Sequence, residues 1–272
     1  MFVLEFLTKS EIEKIFDNDS KLVIDYLLKK VLFSQPELLP DEKGGNIQMT
    51  KEFLESWVAQ ALDWKIIGAG NYPIDVYSEK DKIGADVKFL SAKTDKNGNF
   101  KNGTSNETSL SQKFTSAGKN LDQLFKQRKK KAILDGWIDI LVQKNDIPIS
   151  DYGLNHIYYF IFIRGGHSIN LAIAKVNKEI IPNIKISKLT DTSAFISGYV
   201  DDKYGNVKIY KSKKRIELRC NAKNLHDDKL LIRWDFSKNL KNQKSVRLRE
   251  IIIHENSFKK YISQKIKEFF NF

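Results

Sequence analysis

Three ionisable side chains sit where the surrounding sequence is apolar. In the stretch Asn71 to Ser91, NYPIDVYSEKDKIGADVKFLS, the residues Asp75, Asp86 and Lys88 interrupt runs of Ile, Val, Tyr and Phe. Charges in such runs are costly to bury unless they are paired or hold a metal. If Ile83 to Leu90 is a strand, alternation places Asp86 and Lys88 on one face and turns Val87 to the other. The polar turn SEKDK separates that run from Ile74 to Tyr77, so an antiparallel hairpin would bring Asp75 beside Asp86. Two converging carboxylates repel unless a cation lies between them, and their oxygens suit Mg²⁺, which leaves part of its shell to water and phosphate. A neighbouring lysine can position or deprotonate an attacking water, while the metal polarises the phosphoryl group. The structural alternative makes Asp75 a turn residue and Asp86 with Lys88 a solvated ion pair on one strand face.

The elements that would position these residues follow from periodicity. The first 35 residues read as helices, with a Ser10/Glu13 capping box and Ser20 capping Lys21 to Leu32. In TKEFLESWVAQALDW, Phe53, Leu54, Trp57, Val58, Ala61, Leu62 and Trp64 fill one arc of a helical wheel, with Glu55 at its edge. The polar segment Lys93 to Thr108 reads as a long loop. Helical spacing from Ser109 through Phe125 and again from Ala132 to Gln143 predicts two helices. After them the period changes to strands: HIYYFIFIR and SINLAIAKV flank a Gly165-Gly166 hairpin turn, and SAFISGYV, VKIYK, RIELRC and LLIRWDF continue. An amphipathic helix capped by Asn256 closes the chain. This order predicts an α/β or α+β fold around a mixed central sheet.

Composition bounds the function class. The 272 residues include 17 Phe, 10 Tyr and 4 Trp, which excludes disorder as the main theme. A formal net charge of +12 points to a polyanionic partner. One cysteine, Cys220, permits no internal disulfide, no apolar run reaches membrane-spanning length, and the N-terminus lacks the basic region of a signal peptide. The expectation is a soluble cytoplasmic protein with no membrane partner. His156, His167, His226 and His254 lack metal-ligand spacing, and Gly68 with Gly70 lacks the third glycine of a dinucleotide loop.

The string Pro73, Ile74, Asp75, ten residues, then Asp86, Val87, Lys88 resembles the PD-(D/E)xK motif of type II restriction endonucleases and related nucleases. The resemblance covers about residues 50 to 90. It departs from the pattern in the isoleucine between Pro73 and Asp75 and in a short gap. It implies a restriction-endonuclease-like mixed central β-sheet flanked by helices, and Mg²⁺-dependent hydrolysis of double-stranded DNA. Asp75 and Asp86 would then be catalytic metal ligands, with Val87 among the metal positions, Lys88 the catalytic lysine and Glu55 the helix carboxylate that many members add. Such enzymes usually work as homodimers on two-fold symmetric sites. One nuclease domain over residues 1–272 is expected, with a catalytic core at about 45–180 and a strand-rich basic part at about 190–272. The alternatives are a repair, recombination or mobile-element nuclease of the same fold, and a non-catalytic nucleic-acid-binding protein.

Two basic clusters could meet phosphate. KQRKKK, Lys126 to Lys131, follows a predicted helix, where cations also complement the helix dipole. YKSKKRIELR brings Lys211, Lys213, Lys214 and Arg215 beside a strand, where a basic β-ribbon can follow the DNA backbone. Lys93, Lys96 and Asn97, in the loop after the DVK strand, are further candidates for DNA contact, and Ser91 and Gln112 could stand behind them.

Overall fold

The computed structural model describes residues 1–39, 42, 48–67, 72–112, 114, 120–236 and 246–270. In chain order the elements are β1 (Leu4–Phe6), α1 (Lys9–Ile15), α2 (Asn18–Phe33), α3 (Lys51–Leu62), β2 (Lys65–Ile66), β3 (Val76–Ser78), β4 (Ile83–Ser91) and β5 (Thr108–Gln112). Then come α4 (Leu121–Lys126), α5 (Lys130–Tyr152), β6 (His156–Gly165), β7 (Ser168–Val176), a 3₁₀ turn (Lys178–Asn183), β8 (Lys185–Leu189), β9 (Ser193–Ser197), β10 (Gly205–Tyr210) and β11 (Arg215–Cys220). The chain ends with α6 (Ala222–Asp227), β12 (Ile232–Asp235), α7 (Leu248–Ile252) and α8 (Glu255–Phe270).

Among the described residues seven strands form the larger sheet, ordered β1-β7-β6-β4-β3-β2 with β12 also paired to β7. β4 runs parallel to β6 along its whole length, from Ile83 opposite His156 to Ser91 opposite Arg164, and the other pairings in this sheet are antiparallel. A parallel pair needs a crossover, and α4 with α5 supplies it. The mixed sheet and its helices match the expected α/β class.

Both faces of this sheet are covered, which is why β4 and β6 read as nearly continuous apolar runs. Val76, Ala85, Val87, Phe160 and Phe162 pack with Ile12, Ile24, Leu28, Leu54, Trp57 and Val58 of α1 to α3. The opposite face sends Leu90, Tyr159, Ile161 and Ile163 against Ile133, Trp137 and Leu141 of α5. The same layer holds Leu110, Val207, Ile209, Ile216 and Leu218 of the second, antiparallel sheet β5-β11-β10-β9-β8.

Several local expectations shift. The chain opens with β1 on β7, and the first capping box is Thr8 with Glu11, so that α1 starts before the Ser10 position. Asp17, not Ser20, caps α2 by accepting from the Ser20 amide. Of the helix expected from Ser109 through Phe125, the start forms β5 on β11 instead, because pairing with Arg215 to Leu218 outweighs the apparent three-to-four spacing; residues 113 and 115–119 lie outside the described residues, and Leu121–Lys126 is helical as expected. The loop Lys93 to Thr108 is tied down by a Thr94–Phe100 bridge and by Asn106, which donates to Ser91 O at 3.0 Å. α5 runs past Gln143 and through Pro148 to Tyr152, ending at Gly153 in the left-handed conformation. α8 begins at Glu255, one residue before the expected cap Asn256.

Candidate active site

β3 and β4 form the expected hairpin, with Val76 opposite Ala85. One further step along that register sets Asp75 abreast of Asp86. The Asp75 N–H donates to Ala85 O at 2.9 Å, and the Val87 N–H donates to Asp75 Oδ2 at 2.6 Å. One aspartate thus clasps the two residues that flank the other. The strand geometry also holds as anticipated beyond it: Ala85 and Val87 enter the α1–α3 layer, while Asp86 and Lys88 face the α5 layer.

Asp86 is 4 % exposed and Lys88 8 %, and the two side chains are paired. A third partner comes from α5. Lys144 Nζ meets Asp86 Oδ2 at 2.7 Å, donates to Tyr159 Oη at 3.1 Å and also donates to the Leu110 carbonyl. It lies over the Tyr159 ring, 5.1 Å from the centroid. Burial by itself pushes the Asp86 carboxyl up, but the ammonium groups of Lys144 and Lys88 reverse this and hold it well below the usual carboxylate range. Burial lowers the Lys88 ammonium, and its attraction to Asp86 only partly opposes that. Burial raises the Tyr159 hydroxyl well above its ordinary value, as does the adjacent Asp86 charge.

Asp75, Asp86 and Lys88 are therefore brought together. Glu55 is half-buried on α3, whose apolar side packs on the other face of the sheet. Among the described residues no three His, Cys, Asp or Glu side chains converge as a ready metal cluster. The donor chemistry still fits Mg²⁺, which needs only one or two carboxylates beside carbonyl and water oxygens. Asp75 and Asp86 would hold the ion, with the Val87 backbone carbonyl between them. Cys220 is buried and its thiol is pushed up to about 12, so it offers neither a nucleophile nor a soft metal ligand.

The basic residues divide differently from their order in sequence. Lys93, Lys96 and Asn97 are exposed beyond the end of β4, in a turn whose Asn97 and Asn99 amides donate to the Asp95 carboxylate at 2.8 and 2.9 Å. Lys213, Lys214 and Arg215 are exposed in the β10–β11 turn, with Lys211 at its start. That turn lies against α4: Lys214 reaches Asp122 at 3.9 Å, and Lys211 shares a surface hollow with Gln123, Phe125 and Lys126. Lys126 and Lys211, one from each cluster and 85 positions apart, line that hollow together with the carboxylates of Asp122 and Asp191. Part of the basic charge is neutralised internally, Lys213 by Glu107 and Glu217, and Arg128 by Asp191. Ser91 accepts from Arg164 Nη2 at 3.0 Å, which makes it a support for the β4 end, while the Gln112 side chain lies outside the described residues.

Lys144 is the residue that sequence reasoning missed. The helix predicted over Ala132 to Gln143 stops one residue short of it, whereas α5 continues to Tyr152. Comparison with family models, curated proteins and solved structures gives no match.

Proposed function

We propose that this chain is a Mg²⁺-dependent endonuclease acting on double-stranded DNA, of the type II restriction kind, with a restriction-endonuclease-like core. The observation that carries the reading is the clasp of Asp75 around Asp86 on a strand that also bears Lys88. The mixed sheet, the helices on its faces and the formal net charge of +12 support it.

In this reading Asp75 and Asp86 hold the ion, and bound Mg²⁺ supplies Lewis-acid polarisation of the phosphoryl oxygen and a more acidic water. Lys88 orients the attacking water and offsets charge gathering on the phosphate. The oxygen of water ends on phosphorus, the bond to one ribose oxygen breaks, and that oxygen takes up a proton. The surrounding apolar layers keep bulk water away and strengthen each of these electrostatic contacts. A homodimer would present two such sites to the two strands of a symmetric sequence.

Plasmid DNA incubated with the protein should yield discrete fragments with Mg²⁺ and none with EDTA, and Lys88→Ala should abolish them. Binding across varied DNA without any cleavage would refute the enzyme reading. A second reading is favoured by the burial of Asp86 and the pairing of both its oxygens to lysines. On that reading the chain is a non-catalytic nucleic-acid-binding protein, and the Asp86 network fastens α5 to β4.

A further inference from the structure

Resting on the metal reading, a further inference concerns Lys144. Its ammonium has three oxygen acceptors, Asp86 Oδ2 at 2.7 Å, Tyr159 Oη at 3.1 Å and the Leu110 carbonyl, which come from β4, β6 and β5. Acceptors converging from three strands make a seat for a cation. The seat adjoins the carboxylates that would hold Mg²⁺, and it shares Asp86 with them.

Formal charge shows what that sharing entails. Asp75, Asp86, Lys88 and Lys144 sum to zero, so a divalent ion added to this buried group would leave it at +2. Like charges crowded into a poorly hydrated site repel strongly, so entry of the ion favours withdrawal of one ammonium. Lys88 is fixed on the central strand β4, with its side chain 10 % exposed, whereas Lys144 is 15 % exposed and stands on a helix beside the strands. Pro148 also lacks the N–H that would bond the Lys144 carbonyl, so the helix ladder is missing one rung at that residue.

We propose that Lys144 is a positioning residue that occupies the cation's place in the free protein and gives it up when the metal enters. An incoming DNA phosphate would receive the displaced ammonium. Metal and DNA would then bind cooperatively, each helping the other to move the same lysine.

The test is calorimetric titration of the full chain with Mn²⁺, in the absence of DNA and in the presence of a DNA duplex. Lys144→Gln keeps an N–H donor for Leu110 and Asp86 but removes the charge. It should bind Mn²⁺ at least roughly tenfold more tightly than wild type without DNA, and the gain from added duplex should shrink. Tyr159→Phe, which removes one acceptor and leaves the lysine, should shift affinity in the same direction by a smaller factor, and it serves if Lys144→Gln fails to fold. Equal Mn²⁺ affinity in wild type and variants, with Asp86→Asn abolishing binding, would overturn the role of Lys144 and leave the metal reading intact. No Mn²⁺ binding by any of these proteins, with or without duplex, would overturn both.

Discussion

At the residue scale, Asp86 is the point on which both readings turn, and its removal measures the network they share. Asp86→Ala leaves two ammonium groups facing each other in a buried layer, which should cost about 3–5 kcal/mol in urea unfolding with EDTA present. A loss below about 1 kcal/mol would mean that the network is open to water. The sign of the pH dependence follows from the lowered carboxyl. Because its folded pKa lies below the unfolded value of about 3.9, the stabilisation is fully present above that value and fades as the pH falls through the folded pKa. In EDTA, Asp86→Asn should therefore flatten the fall of the urea midpoint below about pH 4 relative to wild type; parallel acid limbs would contradict the pairing. Asp75 offers a cleaner functional probe. Asn can still accept from the Val87 amide but carries no charge, so Asp75→Asn should keep its melting temperature within a few degrees and lose Mg²⁺-dependent cleavage. The pattern that exposed these residues was strictly local: alternation from Ile83 to Leu90 and a short turn. Lys144 left no such trace, because its partners lie on three strands, the nearest of them Tyr159, 15 positions along the chain.

At the scale of elements, the crossover joins the candidate site to the basic face. Lys130, at the start of α5, lies 14 residues before Lys144, a helical rise of about 21 Å. A duplex could run from the face formed by α4 and the β10–β11 turn toward the Asp86 region along that helix. Lys126→Glu with Lys211→Glu should weaken binding to DNA of varied sequence and make the slope of log affinity against log salt shallower by about 1 for each phosphate that no longer meets a lysine, read by fluorescence anisotropy. An unchanged slope would remove this face from the DNA path. Gly205 sets the geometry of the same small sheet, since a Cβ there would stand 2.5 Å from the Arg219 carbonyl oxygen. Gly205→Ala should therefore cost about 1–3 kcal/mol in thermal or urea unfolding. Elements with long, strong patterns were readable: α3, the β6–β7 hairpin and the strands β9 to β11. β5 was not, because the three-to-four spacing that does hold over α4 (Leu121–Lys126) was extended back to Ser109, while the pairing that makes TSLSQ a strand comes from residues more than 100 positions later.

For the whole molecule, the layered arrangement explains both what was readable and what was not. The class followed from the sequence of periods, helix, strands, helices, strands, and the chain adopts it. The division into a large mixed sheet and a second antiparallel sheet depends on which strand edges meet, and no local pattern encodes that. Among the described residues no helix is long and apolar enough to cross a membrane. Two-fold cutting would require two chains, so sedimentation with a palindrome-bearing duplex should reveal a complex of two protein chains per DNA. A complex of one chain that still makes double-strand cuts would remove the dimer from the proposal.

The parallel pairing of β4 with β6 has a consequence during synthesis. β3 and β4 can close as a hairpin as soon as they emerge, but β6 arrives only after the whole α4–α5 crossover has been made. Until then β4 presents an unpaired, largely apolar edge of the kind that recruits strands from other chains. Asp86 and Lys88 interrupt that edge at alternate positions. Two charges that sit deep in the finished fold would thus act first as gatekeepers, so neutral replacements should lower the soluble yield of newly made chains by more than their effect on folded stability accounts for.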